Sequence, residues 1–383
     1  MRVKLGEICK FQSGGTPAKG NIEYFGGSIP WITTTALNGG RIDEHNAVDW
    51  ITEKAIKESA AKIVPAFSIM VGTRVGVGKV AVNVVGMSTN QDIISLIDID
   101  EDKWSKDFLC KFIQAKSGYL NSQARGATIK GIKIDVLAAL ELPTLLMREQ
   151  QHISHIIDSV KNMISFRERE LIKLDNLIKA RFVEMFGDMV TNPNGWKKVL
   201  LGEACDVRDG THDSPQYYSE GYPLVTSKNV TGGKIDFTDC SLICKEDYNK
   251  INQRSKVDYG DILMPMIGTV GNPVIVDIDG EFAIKNVALI KFRDNSAVIN
   301  SFVKTLLESD YFDRAVISKV RGGTQKFISL GDIRKLEICL PPISVQNQFA
   351  DFVKQVDKSK VAVQKALDET QLLFNSLMQK YFG

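Results

Sequence analysis

The chain lacks the signatures that would point to several large classes of function. No apolar run approaches the roughly 20 residues needed to cross a bilayer, so a membrane span is excluded. The opening Met1-Arg2-Val3-Lys4-Leu5-Gly6-Glu7 has neither the apolar segment nor the small-residue cleavage site of a secretory signal, and a cytoplasmic location is expected. Its six cysteines, Cys9, Cys110, Cys205, Cys240, Cys244 and Cys339, are scattered and form no CxxC. That spacing predicts reduced, buried thiols rather than a disulfide framework or a zinc site, and no metal is expected. The four histidines (His45, His152, His155, His212) are too few and too dispersed for a triad. His152 and His155 share a helical face but lack a third ligand. An excess of one charge is also missing: 48 Lys and Arg face 46 Asp and Glu, for a formal net charge of +2. A protein that coats polyanions indiscriminately is therefore excluded, and any nucleic-acid binding must rest on local patches.

The search for a catalytic centre also fails. Gly72-Thr73-Arg74-Val75-Gly76-Val77-Gly78-Lys79 superficially suggests a phosphate loop. In the GxxxxGK[ST] pattern, however, Thr73 occupies the first glycine position and Val80 follows Lys79. No GxGxxG follows a strand in a dinucleotide-binding context. Asn192-Pro193-Asn194-Gly195 is not the Asn-Pro-Pro-aromatic motif of an adenine methyltransferase. The chain is expected not to be an enzyme.

What is present is a duplication. Adding 196 to a position in the first half repeatedly lands on the same residue in the second. Leu5-Gly6-Glu7 becomes Leu201-Gly202-Glu203, Cys9 becomes Cys205, Gly72-Thr73 becomes Gly268-Thr269, and Asn90 becomes Asn286. Arg125-Gly126 becomes Arg321-Gly322, Lys130 becomes Lys326, Gln150 becomes Gln346, and Phe186-Gly187 becomes Phe382-Gly383. One stretch shifts by three, pairing Gly39 to Asp43 with Gly232 to Asp236.

Each copy begins with short β-rich runs broken by Gly, Pro and Asn, such as Ser28 to Thr33 and Lys79 to Val85, which read as strands and turns. From Thr144 to Phe186, and again from Ile343 to Phe382, Gly and Pro disappear and the apolar period becomes helical. The first stripe is Ile157, Val160, Ile164, Arg167, Leu171, Leu174, Ile178, Arg181 and Met185. The second is Val353, Val356, Lys360, Val363, Leu367, Thr370, Phe374, Leu377 and Tyr381. Alternating steps of three and four mark a coiled-coil seam. At 1.5 Å per residue, a helix of about 40 residues is about 60 Å long. Two surface helices packed on their own domains remain the alternative to a mutual pair. The polar seam residues Arg167, Arg181, Lys360 and Thr370 are expected to pack their stems and turn their heads to water.

These features predict an α+β chain with a pseudo-twofold internal repeat: two similar globular recognition domains separated by two long antiparallel helices forming a coiled coil. The boundaries are 1–147 for the first recognition domain, 148–187 for the first spacer helix, 188–343 for the second recognition domain and 344–383 for the second spacer helix. The Asp188 to Trp196 connection is short, so the second domain is placed at the far end of the first helix. In DNA-binding dimers the separation of two reading elements selects the spacing of half-sites. A protein scaffold that tethers two partners without DNA specificity is the rival reading.

Over essentially its whole length the sequence resembles the type I restriction-modification specificity subunits. The resemblance rests on Leu-Gly-Glu near each domain start, the Ile-Pro-Trp-Ile and Tyr-Pro-Leu-Val strands, the Gly-Thr turns, and Asn90 with Asn286. It also rests on the Gly-x-Thr-x-Lys-x-Ile segments and on Leu-Pro followed by Gln (Pro143 with Gln150, Pro341 with Gln346). The interval from Pro143 to Gln150 is two residues longer than that from Pro341 to Gln346. The resemblance implies that each domain reads half of a split, asymmetric target in double-stranded DNA. It implies docking of two modification (methyltransferase) subunits and of restriction (motor and nuclease) subunits. It also implies that S-adenosylmethionine, ATP and Mg belong to those partners, with no cofactor on this chain.

Candidate DNA contacts follow from residue type. By the shift of 193, the stretch Thr33-Thr34-Thr35-Ala36-Leu37-Asn38 aligns with Thr226-Ser227-Lys228-Asn229-Val230-Thr231, a polar loop after a strand. Their groups can bond base edges or phosphates, or serve local turn chemistry. Arg74 is the foremost candidate for guanine, since its fork can bond two acceptors at once, and Val270 is its counterpart at the offset of 196. Arg41, Lys79, Arg125, Lys130, Lys133, Lys234, Arg321, Thr324, Gln325 and Lys326 suit phosphate contact or remain solvated. Asn90 and Asn286 are expected to fix buried turns, and Gln150 and Gln346 to support the helix start and partner docking.

Overall fold

The computed structural model describes residues 2–126, 130–268, 270–293, 296–319 and 327–383. Contacts divide the chain into unit 1, Met1–Arg167 with Ala366–Gly383, and unit 2, Glu168–Lys365.

In unit 1 the apolar runs form two main sheets. The first has the order Lys10–Ser13, Ile93–Ile97, Ile69–Gly72, Val80–Asn83 and Arg41–Ile42. It is antiparallel except for its last pair. Ile69–Gly72 and Val80–Asn83 are buried at every position, which explains why they read as continuous apolar runs without alternation. The second sheet has the order Asp49–Ile51, Phe25–Ile32, Met87–Thr89 and Ile63–Val64. The helix Lys106–Ala115 starts at Ser105, whose hydroxyl accepts the Phe108 N–H at 3.4 Å. It buries Phe108, Leu109, Phe112 and Ile113 completely.

Unit 2 repeats this plan. Asp206–Asp209, Val287–Lys291, Ile262–Pro265 and Val274–Ile275 form the first sheet, and Ser241–Ile243, Tyr222–Val225 and Ala283–Ile284 the second. The helix Asn300–Leu307 takes the place of Lys106–Ala115, with Phe302 fully buried.

Strand register corrects the sequence alignment of the two copies. Leu96 faces Ile69, which faces Val82, whereas Ile290 faces Ile262, which faces Ile275. The shift of three therefore persists from Phe25–Ile32 through Val80–Asn83. Shared loop bonds agree: Gly78 N–H donates to Gly72 O at 2.9 Å, and Gly271 N–H to Pro265 O at 3.2 Å. Ile132 N–H donates to Thr73 O, and Ile328 N–H to Met266 O. The counterpart of Arg74 is thus Ile267, not Val270. Asn90 and Lys285 make the same bond, to Ile32 O and Val225 O, so Asn90 corresponds to Lys285 rather than Asn286. A chance Gly-Thr at the wrong register misled the identity count.

The two Gly- and Pro-free segments are 40-residue helices, Met147–Phe186 and Ile343–Phe382. Both begin three residues before their glutamine, so the two extra residues after Pro143 lie outside the helix. Every residue of both stripes is buried or half-buried. In unit 1, Gln150 at the helix start bonds beside Ser105, while Phe382 packs on Phe108 with ring centroids 5.3 Å apart. At the other end, Arg167 Nη1 donates to Ala366 O at 2.6 Å. The two helix segments of unit 1 are therefore antiparallel. In unit 2, Phe182 and Phe186 meet Phe349 at 5.5 and 5.3 Å, and Asp175 meets Lys360 at 2.6 Å, which gives the same direction.

The polar seam residues also make specific contacts, and Thr370 is buried. Thr370 Oγ1 also donates to Ala366 O, at 2.7 Å. Arg181 bonds Glu184 and lies over the Phe352 ring. Burial lowers the Lys360 pKa, but the hydrogen bond and charge of Asp175, with Asp357 and Glu308, hold it above the usual lysine value. The Arg181 and Lys360 side chains pair with these groups while staying 40% and 32% exposed.

Candidate nucleic-acid interface

In unit 1 the loop Thr73 to Lys79 joins two antiparallel strands, Ile69–Gly72 and Val80–Asn83. A strand thus follows it where a phosphate loop would need a helix. A Cβ at Gly72 would lie 2.5 Å from Gly76 O, so the turn closes only with glycine there. Thr73 N–H and Oγ1 both donate to Asp92 O, at 2.8 and 3.1 Å. Arg74 projects from this anchored turn with its side chain 53% exposed.

Beside it, Arg125 and Gly131 exchange backbone hydrogen bonds at 2.9 and 3.0 Å. With Ile132 N–H donating to Thr73 O at 2.8 Å, this brings Arg125 and Gly131 against the turn. Arg74, Gln123, Arg125 and Lys133, with Gly131, Ile132 and Val136, line a concave cleft of about 590 Å³. Arg74, chosen for a base contact, therefore shares one hollow with Arg125 and Lys133, chosen for phosphate contact. Lys130 is exposed, while Thr128 lies outside the described residues. Asn38 and Lys79 share a second, shallower hollow of about 390 Å³ with Gln114 and Asn121. Arg41 is exposed, 3.8 Å from Asp107. Thr33, Thr34 and Thr35 line neither hollow: Thr34 is buried, and the Thr33 and Thr35 hydroxyls bond each other at 2.9 Å.

In unit 2 the aligned polar loop is largely engaged with itself. Asn229 is buried, accepts from the Thr226 N–H and hydroxyl at 3.0 and 2.8 Å, and donates to Asp236 O at 3.2 Å. Ser227 donates to Asn286 O at 3.2 Å. Lys228 and Lys234 are exposed, Lys234 on a short hairpin. Arg321, Thr324, Gln325 and Lys326 lie outside the described residues.

Asn90 is buried in a turn, as expected, with its Nδ2 on Asp92 Oδ2 at 3.0 Å. Gln150 and Gln346 correct the docking expectation. Both are 0% exposed. The Gln150 amide accepts from Ser105 N–H and donates to Lys103 O and Leu145 O. The Gln346 amide accepts from Ile299 N–H and donates to Ala297 O and Pro341 O. Each staples a helix start to its unit and has no amide hydrogen or oxygen face to offer a partner.

Sequence reasoning passed over one cluster. Thr211, His212, Asp213, Ser214, Lys250 and Arg254 line a hollow of about 450 Å³ in unit 2. His212 Nδ1 lies 2.8 Å from Asn286 Oδ1, and Nε2 lies 2.8 Å from Asp209 Oδ2, which also pairs with Arg254. Both ring nitrogens face oxygens. The Asn286 bond, then that to Asp209, raises the His212 pKa above its ordinary value, against partial burial and the Arg254 charge. The polar run Thr211 to Pro215 after a strand was the available signal.

Among the described residues, no group of three or more His, Cys, Asp or Glu is arranged to hold a metal ion, and no helix is long and apolar enough to cross a membrane. Three cysteines are buried and three half-buried, all free. Burial pushes Cys9, Cys110 and Cys205 up to about 12.

Comparison with known proteins adds to this geometry. Over 412 residues, 98% of this chain and 91% of the relative, the sequence is 26% identical to the type I restriction enzyme MjaIX specificity subunit of Methanocaldococcus jannaschii. It is 33% identical over 165 residues, 40% of this chain and 39% of the relative, to the EcoR124I/EcoR124II specificity subunit of Escherichia coli. A structure from a study of complex assembly and conformational transition in the type I R-M system matches at TM-score 0.64 and 20% identity, covering 100% of this chain and 97% of that one. The S subunit of the M. genitalium type I system matches at TM-score 0.54 and 16% identity, covering 100% and 96%. The model for the type I restriction modification DNA specificity domain matches twice, at residues 1–176 and 193–370, and with one match in each sequence repeat the chain belongs to the type I restriction-modification DNA specificity family.

Proposed function

We propose that the chain is the non-catalytic specificity subunit of a type I restriction-modification complex, reading a bipartite, asymmetric target in double-stranded DNA with one half-site per recognition domain. The observation that carries this reading is that two units share strand order and loop bonds yet differ in the side chains their loops present. A common framework with unlike faces suits two different half-sites. Arg74, Arg125 and Lys133 of unit 1 supply base and phosphate contacts in one cleft, joined by Arg41, Lys79 and Lys130 on exposed surface. Lys228 and Lys234 serve unit 2, together with Arg321, Thr324, Gln325 and Lys326.

The recognition domains are residues 1–147 and 188–343, and the spacer helices 148–187 and 344–383. The helices set the half-site spacing and offer their outer faces to two modification subunits. Restriction subunits join that assembly in the cytoplasm. S-adenosylmethionine, ATP and Mg are bound by the partner subunits.

Mapping methylated adenines in the host genome before and after deletion of this gene tests the reading. One bipartite motif should lose its methylation, and retention of every motif would refute the assignment. Exchanging residues 188–343 for those of a relative should alter one half of the motif alone.

A further inference from the structure

Arg74 is held at two points that unit 2 does not reproduce. A Cβ on Gly131 would lie 2.8 Å from Arg74 Cγ, so the arginine stem rests directly on the Gly131 backbone. At the other end, Arg74 Nη1 is 3.9 Å from Asp92 Oδ1. That separation is too long for a hydrogen bond, so the carboxylate attracts the guanidinium without occupying its donors. Among the described residues, the Arg74 guanidinium makes no hydrogen bond. Asp92 is itself fixed. Its Oδ2 accepts from Asn90 Nδ2 at 3.0 Å, its N–H donates to Asn90 Oδ1 at 3.3 Å, and its carbonyl accepts from Thr73. The carboxylate is only 17% exposed, so it is aimed by the protein rather than by solvent.

In unit 2, strand register places Ile267 opposite Arg74. The Gln91-Asp92 pair between Asn90 and Ile93 is reduced to the single Asn286 between Lys285 and Val287. The arginine and its carboxylate are present together in one copy and absent together from the other.

We infer that Asp92 is a positioning residue which, with Gly131 beneath the side-chain stem, presents the free Arg74 fork to a guanine edge, so that unit 1 reads a G·C pair in a way unit 2 cannot. The inference rests on the proposed DNA-reading function. A pre-aimed arginine whose donors make no hydrogen bond among the described residues matches the two acceptors, O6 and N7, that guanine displays in the major groove. It also loses less freedom on binding than a solvated side chain would.

The experiment uses the full chain assembled with its modification subunits, acting on a duplex library with both half-sites randomised, and methylated products are sequenced. Wild type, R74A, D92A, D92N, G131A and R74A/D92A are compared. R74A should reduce discrimination at one G·C position about tenfold or more, with the other half-site and the spacing unchanged. D92A and D92N should relax the same position by a smaller factor, and the double variant should match R74A, because Asp92 acts through the arginine. D92N replaces the carboxylate by a neutral amide of the same shape and serves as the reading should D92A fold poorly. Wild-type preference in both Asp92 variants would overturn the inference. So would a uniform loss across all sequences in R74A, which marks a phosphate contact. A wild-type complex with no bipartite motif would instead refute the proposed function itself.

Discussion

Replacing Gln346 by alanine separates a structural role from a docking role. The side chain is sealed from solvent and makes three hydrogen bonds, to Ile299 N–H, Ala297 O and Pro341 O. Alanine leaves all three backbone groups without their partner. At about 1 kcal/mol per bond the loss is about 3 kcal/mol, and each group left dry adds to it. Ile299 is also the N-cap of the helix Asn300–Leu307, so that helix should lose protection first. Hydrogen exchange over residues 297–307, with urea unfolding, reads both effects. Q346E should be worse than Q346A at neutral pH, since it sets a carboxylate against two carbonyl oxygens. Its deficit should shrink in acid, where the protonated group can donate one bond. Q150A should cost a similar amount in unit 1, where the same three-bond pattern recurs. A loss under about 1 kcal/mol, or normal stability with failed assembly, would refute the staple and restore docking.

Phe382→Ala removes a ring packed on Phe108 and Phe112 at 5.3 and 6.2 Å. It should destabilise unit 1 by about 3–5 kcal/mol, measurable by denaturant unfolding. The His212 imidazolium is favoured by Asn286 and Asp209, so its NMR titration midpoint should lie above that of an unstructured histidine and fall in D209N. Because the folded pKa is raised, the linked stability is present in full below the unfolded pKa and is lost as pH rises through the folded value. Burial raises the Cys110 and Cys205 pKa to about 12, so iodoacetamide at mildly alkaline pH should label the half-buried Cys244 well before either. Peptide mapping before and after unfolding checks this order.

The broad plan was legible because it is written in periodic chemistry. The three-and-four stripe from Ile157 to Met185 is a property of side-chain polarity alone, and the structure buries or half-buries each member. Arg74, Arg125 and Lys133 could be named from residue type, but their convergence depends on the Arg125–Gly131 bridge, which joins backbone atoms and leaves no trace in composition. The same holds for the glutamines. Two positions spaced alike in two repeats suggest a shared role, yet only the carbonyls around them show that the role is internal. The alignment erred at Gly268-Thr269 because identity was weighed without strand register. Phe182, Phe186, Phe349 and Phe382 stood outside the stripe because they belong to the unit cores at the helix ends.

Unit 1 is not contiguous in the chain. Ala366–Gly383 belongs to it, with all of Glu168–Lys365 in between. On the ribosome, domains usually fold in the order they emerge, but this one must wait with an open core until its neighbour has been made. The two Phe residues facing Phe382 stay uncovered for that interval. A stop codon just after Lys365 would therefore leave the later-made unit whole and cripple the one synthesised first.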